Sequence, residues 1–197
     1  MNKNTLLITL IFASSLITLE SCAKVSRLST SKVTDLSGRW NDTDAKLVAE
    51  EMTQDAINRV WRTNFINKSG RQPIIMVGEV INKSHEHIDA EFFIKDMERE
   101  FINTNSVRVI THGQFRDKVR RERAEQQIAV SPDMQKQFGR ELGSDYMMFG
   151  TINSMVDTKA AGRNKVIFYQ VNLELVDLET NEVVWIGEKK IKKYVKK

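Results

Sequence analysis

Apolar residues recur along this 197-residue chain in two different periods. Through the first long segment they fall at Val48, Met52, Ala56 and Val60, flanked by Ala45, Ala49, Ile57 and Trp61. Steps of four with neighbours three away make one buried stripe, which predicts a helix over about 43–65, capped by Asp42 or Thr43. Pro73 then opens an apolar run over 74–81 whose alternating faces are both apolar, as in a strand covered on two sides. Asp89 can cap a second helix with Ala90, Phe93, Ile94, Met97 and Phe101 on one face. Residues 107–110 read as a short strand after it. Strand, helix, strand predicts a right-handed parallel crossover.

Residues 114–127 predict a charged helix. Ser131 and Pro132 open another, with Met134, Phe138 and Leu142 at steps of four and an end at Gly143. Residues 146–156 are strand-like. Over 166–176 the alternation is clean, with Ile167, Tyr169, Val171, Leu173 and Leu175 on one face and Gln170, Asn172 and Glu174 on the other. A turn over 178–182 leads to Val183, Val184, Trp185 and Ile186 and then a lysine-rich end. The last three strands therefore predict an antiparallel meander. The expected fold class is α/β: a single domain over 42–197 whose mixed sheet joins a parallel β-α-β crossover to an antiparallel C-terminal meander, flanked by helices. No internal repeat is visible.

Composition sharpens the N-terminus most. One cysteine excludes an intrachain disulfide framework and a multi-cysteine zinc site. That cysteine, Cys22, follows a short positive start and fifteen uncharged, mostly apolar residues, 5–19. Fifteen is short for a membrane span, which needs about 20 residues, but normal for the apolar region of an export signal. Leu19, Glu20, Ser21 and Cys22 resemble a bacterial lipobox, with Glu20 where a small or apolar residue is usual. The expectation is a signal peptide over 1–21, lipid attachment at Cys22, and a short flexible tether over 22–41. An ordinary secretory signal cleaved nearby and an uncleaved anchor are the alternatives. Ala23 and Lys24 follow the cysteine with no aspartate, which in enteric-type sorting implies the outer membrane. The nineteen residues 23–41 reach at most about 65 Å.

The inventory of catalytic groups is thin. His85, Glu86 and His87 hint at a metal, with His112, Asp89 or Glu91 as conceivable additions, but no third convincing ligand accompanies them. There is no G-x-S-x-G turn and no glycine-rich phosphate loop. The expectation is a non-enzyme without metal or cofactor. Thirty Lys and Arg against 26 Asp and Glu leave a net charge of +4, too small to announce a nucleic-acid partner. Arg116, Lys118, Arg120, Arg121 and Arg123 alternate with Asp117, Glu122 and Glu125, as on a solvated helix face or a partner surface. Lys189, Lys190, Lys192, Lys193, Lys196 and Lys197 would discourage edge-to-edge pairing if they lie on the last strand. They could also touch an anionic polymer or a lipid headgroup.

The run from Asp35 to Asp44 (DLSGRWNDTD), continuing into Leu47, Val48, Ala49 and Glu50, resembles the opening signature of the LpoB-type penicillin-binding-protein activators. Residues 73–82, Ile88 and Asp89, residues 107–110, 143–146 and 150–152, and the closing hairpin over 169–185 agree with that family in kind and order. The resemblance covers roughly 35–195. It implies a domain similar to the N-terminal domain of TolB, on an outer-membrane lipoprotein facing the periplasm. The implied partner is a bifunctional peptidoglycan synthase, a class A penicillin-binding protein, stimulated without catalysis by the activator. Enteric members carry a long proline-rich tether, whereas this one is short and lacks proline. That feature favours the alternative reading, a TolB-like structural or assembly lipoprotein of another envelope complex. No motif assigns a partner-contact residue.

Overall fold

The computed structural model describes residues 26–29, 32–129, 143–158 and 164–196. The chain divides into two units, Met1–Val33 and Thr34–Lys197, and the fold below is that of the second. Its elements run α1 (Asp42–Ile57), α2 (Val60–Ser69), β1 (Ile74–Lys83), α3 (Ala90–Asn103), β2 (Arg108–Val109), α4 (Gly113–Ala129), β3 (Tyr146–Thr158), β4 (Asn164–Asp177) and β5 (Val183–Lys196). The helix expected over 131–142 lies outside the described residues, as do the signal segment and Cys22.

The single helix expected over 43–65 is in fact two. Asn41, not Asp42 or Thr43, caps α1. Its side-chain oxygen accepts from the Asp44 N–H at 3.1 Å, while the Asp44 carboxylate accepts from the Asn41 N–H at 3.0 Å. Only position 41 has an acid three residues on to return the bond, which completes a capping box. α1 ends at Ile57, and α2 restarts after Arg59, whose backbone is extended. Side chains hold the break: Trp61 Nε1 donates to the Ala56 carbonyl at 2.7 Å and Arg62 Nε to that of Ile57 at 2.9 Å. In an unbroken helix the Ala56 carbonyl would be taken by the Val60 N–H. Ending α1 leaves it to the Arg59 N–H at 3.4 Å and to a buried indole that needs an acceptor. Trp61 is consequently buried, edge-on to Tyr146 at 4.9 Å, and Val60 is turned out to solvent.

The sheet order is β2-β1-β3-β4-β5. β1 runs parallel to both β2 and β3, whereas β3 to β5 pair antiparallel along nearly their whole length. The crossover and the meander are therefore both present, and the mixed α/β class holds. β1 is covered on both sides only over its first half. β2 pairs with Ile74 and Ile75 alone, and Ile81 is substantially exposed.

α1 and α3 lie on one face of this sheet. Asp89 caps α3 by accepting from the Glu91 N–H at 3.0 Å, so that Phe93, Ile94, Met97 and Phe101 all point inward. They meet Val48 and Met52 of α1 and the inward row of β4, Ile167, Tyr169, Val171, Leu173 and Leu175, in one core. Each large aliphatic or aromatic side chain fully removed from water there stabilises the fold by about 1.5–3 kcal/mol. The opposite face of β3 to β5 carries the alternate residues, which are half-buried or exposed.

Candidate functional site

The polar run preceding α1 is bound to the domain at Asp35, Gly38, Arg39 and Trp40. Asp35 Oδ1 accepts from the Gly38 N–H at 2.9 Å, closing a tight turn. Gly38 takes φ +69, and a Cβ there would sit 2.2 Å from Val195 Cγ2, so position and conformation both require glycine. Lys193 on β5 gathers the segment: its ammonium lies 2.7 Å from Asp35 Oδ2 and 2.5 Å from Asp44 Oδ2, and donates to the Arg39 carbonyl at 2.9 Å. The side chains of Lys193 and Asp44 are only 10% and 8% exposed. Burial alone would lower the Lys193 pKa. Its hydrogen bonds to Asp35 and Asp44 outweigh that and hold the ammonium above its usual range. The same bond from Lys193 holds the Asp35 carboxyl below its usual range.

Glu86 forms the second anchor. It accepts from the Tyr169 hydroxyl at 2.8 Å and from the Trp40 N–H at 3.1 Å, and Trp40 packs edge-on against Tyr169 at 5.6 Å. Burial, reinforced by the bond to Glu86, pushes the Tyr169 phenol well above its ordinary value. Nothing in the primary sequence singled out Lys193, Glu86 or Tyr169 as a set. Parity narrows the choice without settling it: Lys189 and Lys193 align with Val171 and Ile167 of the inward row of β4, whereas Lys190, Lys192 and Lys196 fall on the other face.

The histidines do not converge. His85 bonds Ser154 through both its N–H and its ring, and places Nε2 3.4 Å from Glu86. His87 is exposed, and His112 lies against Glu98 and Glu91 of α3. Among the described residues no three His, Cys, Asp or Glu side chains are arranged to hold a metal ion. In α4, Lys118, Arg120 and Arg121 are exposed, Phe115 carries the ammonium groups of Lys95 and Lys118 each 5.3 Å from its ring centre, and Arg116 is half-buried.

At the other end of the strands lies a cleft of about 770 Å³ lined by Trp61, Phe65, Arg71, Asp145, Tyr146 and Asp177 among others. Arg71 forks onto Asp145 with two bonds of 2.7 Å and covers the Phe65 ring at 5.0 Å. Asp145 also accepts from the Ile74 N–H at 2.8 Å, tying the start of β3 to that of β1. Burial, then the charges of Asp177 and Asp145, push the Tyr146 phenol up to about 12, so it is a hydrogen-bond donor at neutral pH. Ion-paired, protonated and aromatic groups of this kind suit binding.

The model of the peptidoglycan-synthase activator LpoB family matches residues 44–191, three-quarters of the chain. The chain belongs to the LpoB family of peptidoglycan-synthase activators. No curated protein sequence matches it. Among solved structures this LpoB-family chain is similar to the LpoB C-terminal domain from Escherichia coli, at 13% identity and a TM-score of 0.43, covering 76% of this chain and 99% of that one. It is also similar to E. coli LpoB solved by NMR, at 13% identity and a TM-score of 0.40, over 89% and 87% of the two chains. Lipoprotein GNA1162 from Neisseria meningitidis is similar at 16% identity and a TM-score of 0.39, over 63% and 84%. The family match begins at Asp44, inside the capping box, and ends at Ile191 on β5. It thus spans the Glu86 anchor and the cleft, and stops two residues short of Lys193. No helix among the described residues is long and apolar enough to cross a membrane.

Proposed function

We propose that this protein is a lipoprotein anchored through Cys22 in the outer membrane and facing the periplasm. There it binds and stimulates a bifunctional peptidoglycan synthase, a class A penicillin-binding protein. The observation that carries this reading is the family match over 44–191. The activator itself makes or breaks no bond. It shifts the synthase toward an active conformation by binding that conformation more tightly, since a ligand moves an equilibrium only by its differential affinity.

Two experiments test the reading. Crosslinking in native envelopes followed by capture of this chain is expected to recover a peptidoglycan synthase, and the purified pair is expected to polymerise glycan faster than the synthase alone. Capture of other envelope proteins with no synthase would instead favour an assembly role, the reading that the short, proline-free tether supports. Mass spectrometry of membrane-extracted protein is expected to give a mature chain starting at an acylated Cys22. An unlipidated chain starting at Ser21 or earlier would remove the anchor from the proposal.

A further inference from the structure

The sheet face turned away from α1 and α3 is not uniform along its length. Across β3, β4 and β5 the register puts Met155, Phe168 and Lys192 in one row and Asp157, Val166 and Tyr194 in the next. Lys196 follows on the same face, and Lys83 lies one row before, beside Asn153. Met155 is 66% exposed and Tyr194 63% exposed. Lys190 is ion-paired with Glu188, whereas Lys83, Lys192 and Lys196 have no acidic partner among the described residues. Asp157 is the one carboxylate within these rows. This half of the face thus combines an exposed thioether and phenol with uncompensated lysines.

The chain enters the domain beside the same end. Asp35 meets Lys193, and Gly38 packs on Val195, both among the last residues of β5, the strand that carries Lys192, Tyr194 and Lys196. From Cys22 to Asp35 there are thirteen residue steps, a reach of at most about 45 Å. A lipid held at Cys22 would keep this end of the sheet within that distance of a bilayer.

We propose that the tether-proximal half of the open sheet face, carried by Met155, Phe168, Lys192, Tyr194 and Lys196, docks the domain onto an anionic phospholipid surface. Tyrosine suits the headgroup boundary, with its ring on the apolar side and its hydroxyl in water. Lysine stems lie along the apolar region while their ammonium groups reach the phosphates. Attachment then scales with apolar contact and with charge attraction, as for other peripheral surfaces. Edge protection alone accounts for lysines on β5 but not for Met155 and Tyr194 beside them. The cleft at Arg71, Asp145 and Tyr146 lies at the opposite end of the strands, so a membrane and a protein partner can be engaged together. The inference rests on lipid attachment at Cys22 only for what brings the face to the bilayer in the cell.

The test supplies that attachment chemically. The chain from Cys22 onward has a single thiol, which couples to a maleimide-bearing lipid in vesicles whether or not the cell lipidates it. On vesicles containing about one-third phosphatidylglycerol in phosphatidylcholine, Lys83, Lys192 and Lys196 are expected to be protected from amine acylation, while Lys46 and Lys68 stay reactive. Protection should vanish on pure phosphatidylcholine and fade in salt of about 1 M. Each lysine changes the docked-to-undocked ratio about fivefold, so the Lys192→Gln/Lys196→Gln chain should lose about 30-fold, read from Lys83 and from amide exchange in β5. Met155→Gln/Tyr194→Gln, which keeps every positive charge, should weaken docking as well. Equal labelling on anionic and neutral vesicles overturns the proposal, as does unchanged protection in both variants. A Lys192→Gln/Lys196→Gln chain that keeps its vesicle protection but loses a crosslinked protein partner also overturns it and makes the face a protein-docking site. None of these results depends on the mass of Cys22 in the cell, which tests the anchor separately.

Discussion

Replacing Lys193 with methionine removes the charge that gathers the polar run onto β5 while keeping most of the side-chain volume. Breaking a well-buried ion pair by deleting one partner costs about 3–5 kcal/mol, because a charge is left behind without compensation. Two features reduce that here. Asp44 keeps the Asn41 N–H at 3.0 Å, and Asp35, 35% exposed, can rehydrate. Loss of the bond to the Arg39 carbonyl adds a smaller amount. A destabilisation of about 2–3 kcal/mol follows, or a fall in Tm of roughly 5–10 °C for a domain of this size. Urea unfolding followed by tryptophan fluorescence, with Trp40 next to the lock, measures it.

The pH dependence has a definite sign. Asp35 has a lowered pKa in the fold, so its contribution is present above its unfolded value and is lost as pH falls through the folded one. Lys193 has a raised pKa, so its contribution is complete below its unfolded value and is lost as pH rises through the folded one. The gap between parent and Lys193→Met should therefore be flat from about pH 5 to pH 9 and narrow on both sides. Adding Asp44→Asn should cost much less than it does in the parent, with a coupling of about 1 kcal/mol or more. A gap below about 0.5 kcal/mol at neutral pH, or one that widens on acidification, would refute the reasoning, since surface pairs behave that way.

Gly70→Ala, at φ +66 with open space around it, should show only the backbone penalty of about 1–2 kcal/mol by thermal melting, whereas Gly38→Ala pays that penalty and about 1–3 kcal/mol of overpacking, about 2–5 kcal/mol together; the difference isolates the contact with Val195. Tyr169→Phe removes one donor from Glu86 and should lower stability by about 1–2 kcal/mol while changing Trp40 emission. Arg71→Ala opens an ion pair that is 46% exposed on the arginine side. It should cost about 1 kcal/mol or less in urea unfolding, because the Ile74 N–H still holds Asp145.

Much of the scaffold was legible because its signals are local. The β4 alternation from Ile167 to Leu175 put the right side chains in the core, since a strand's two faces are set by parity alone. Asp89 was readable as a cap because an N-cap needs only its own side chain and an N–H two residues on. The single long helix was misread because its interruption depends on a non-local demand. The Trp61 indole is buried against Tyr146, far away in sequence, and takes a carbonyl that only a helix end can offer. The surroundings of His85 and His87 were unreadable for a related reason: two histidines separated by one residue in a loop face different neighbours, here Ser154 and solvent.

The family signature shows the same division. Its letters were readable before any fold, and the match over 44–191 bears out the family they resemble. Their visible work is internal. Asp35, Gly38, Trp40 and Asp44 close the edge of the domain against Lys193, Val195, Glu86 and Tyr169, partners that are 46 residues or more away along the chain.

By itself, the order of apolar and polar residues determined most of the described helices and strands and the α/β class, because periodicity and caps act over a few residues; the family was carried instead by particular residues such as those from Asp35 to Asp44. Only the tertiary structure decided which lysine of the terminal run is a buried lock and which remain at the surface. Parity on β5 turns Lys193 inward to two carboxylates and leaves Lys192 and Lys196 outward beside Met155 and Tyr194. A lysine's role is set by the charges and the water that reach it, and those are fixed by segments the chain brings together from far apart.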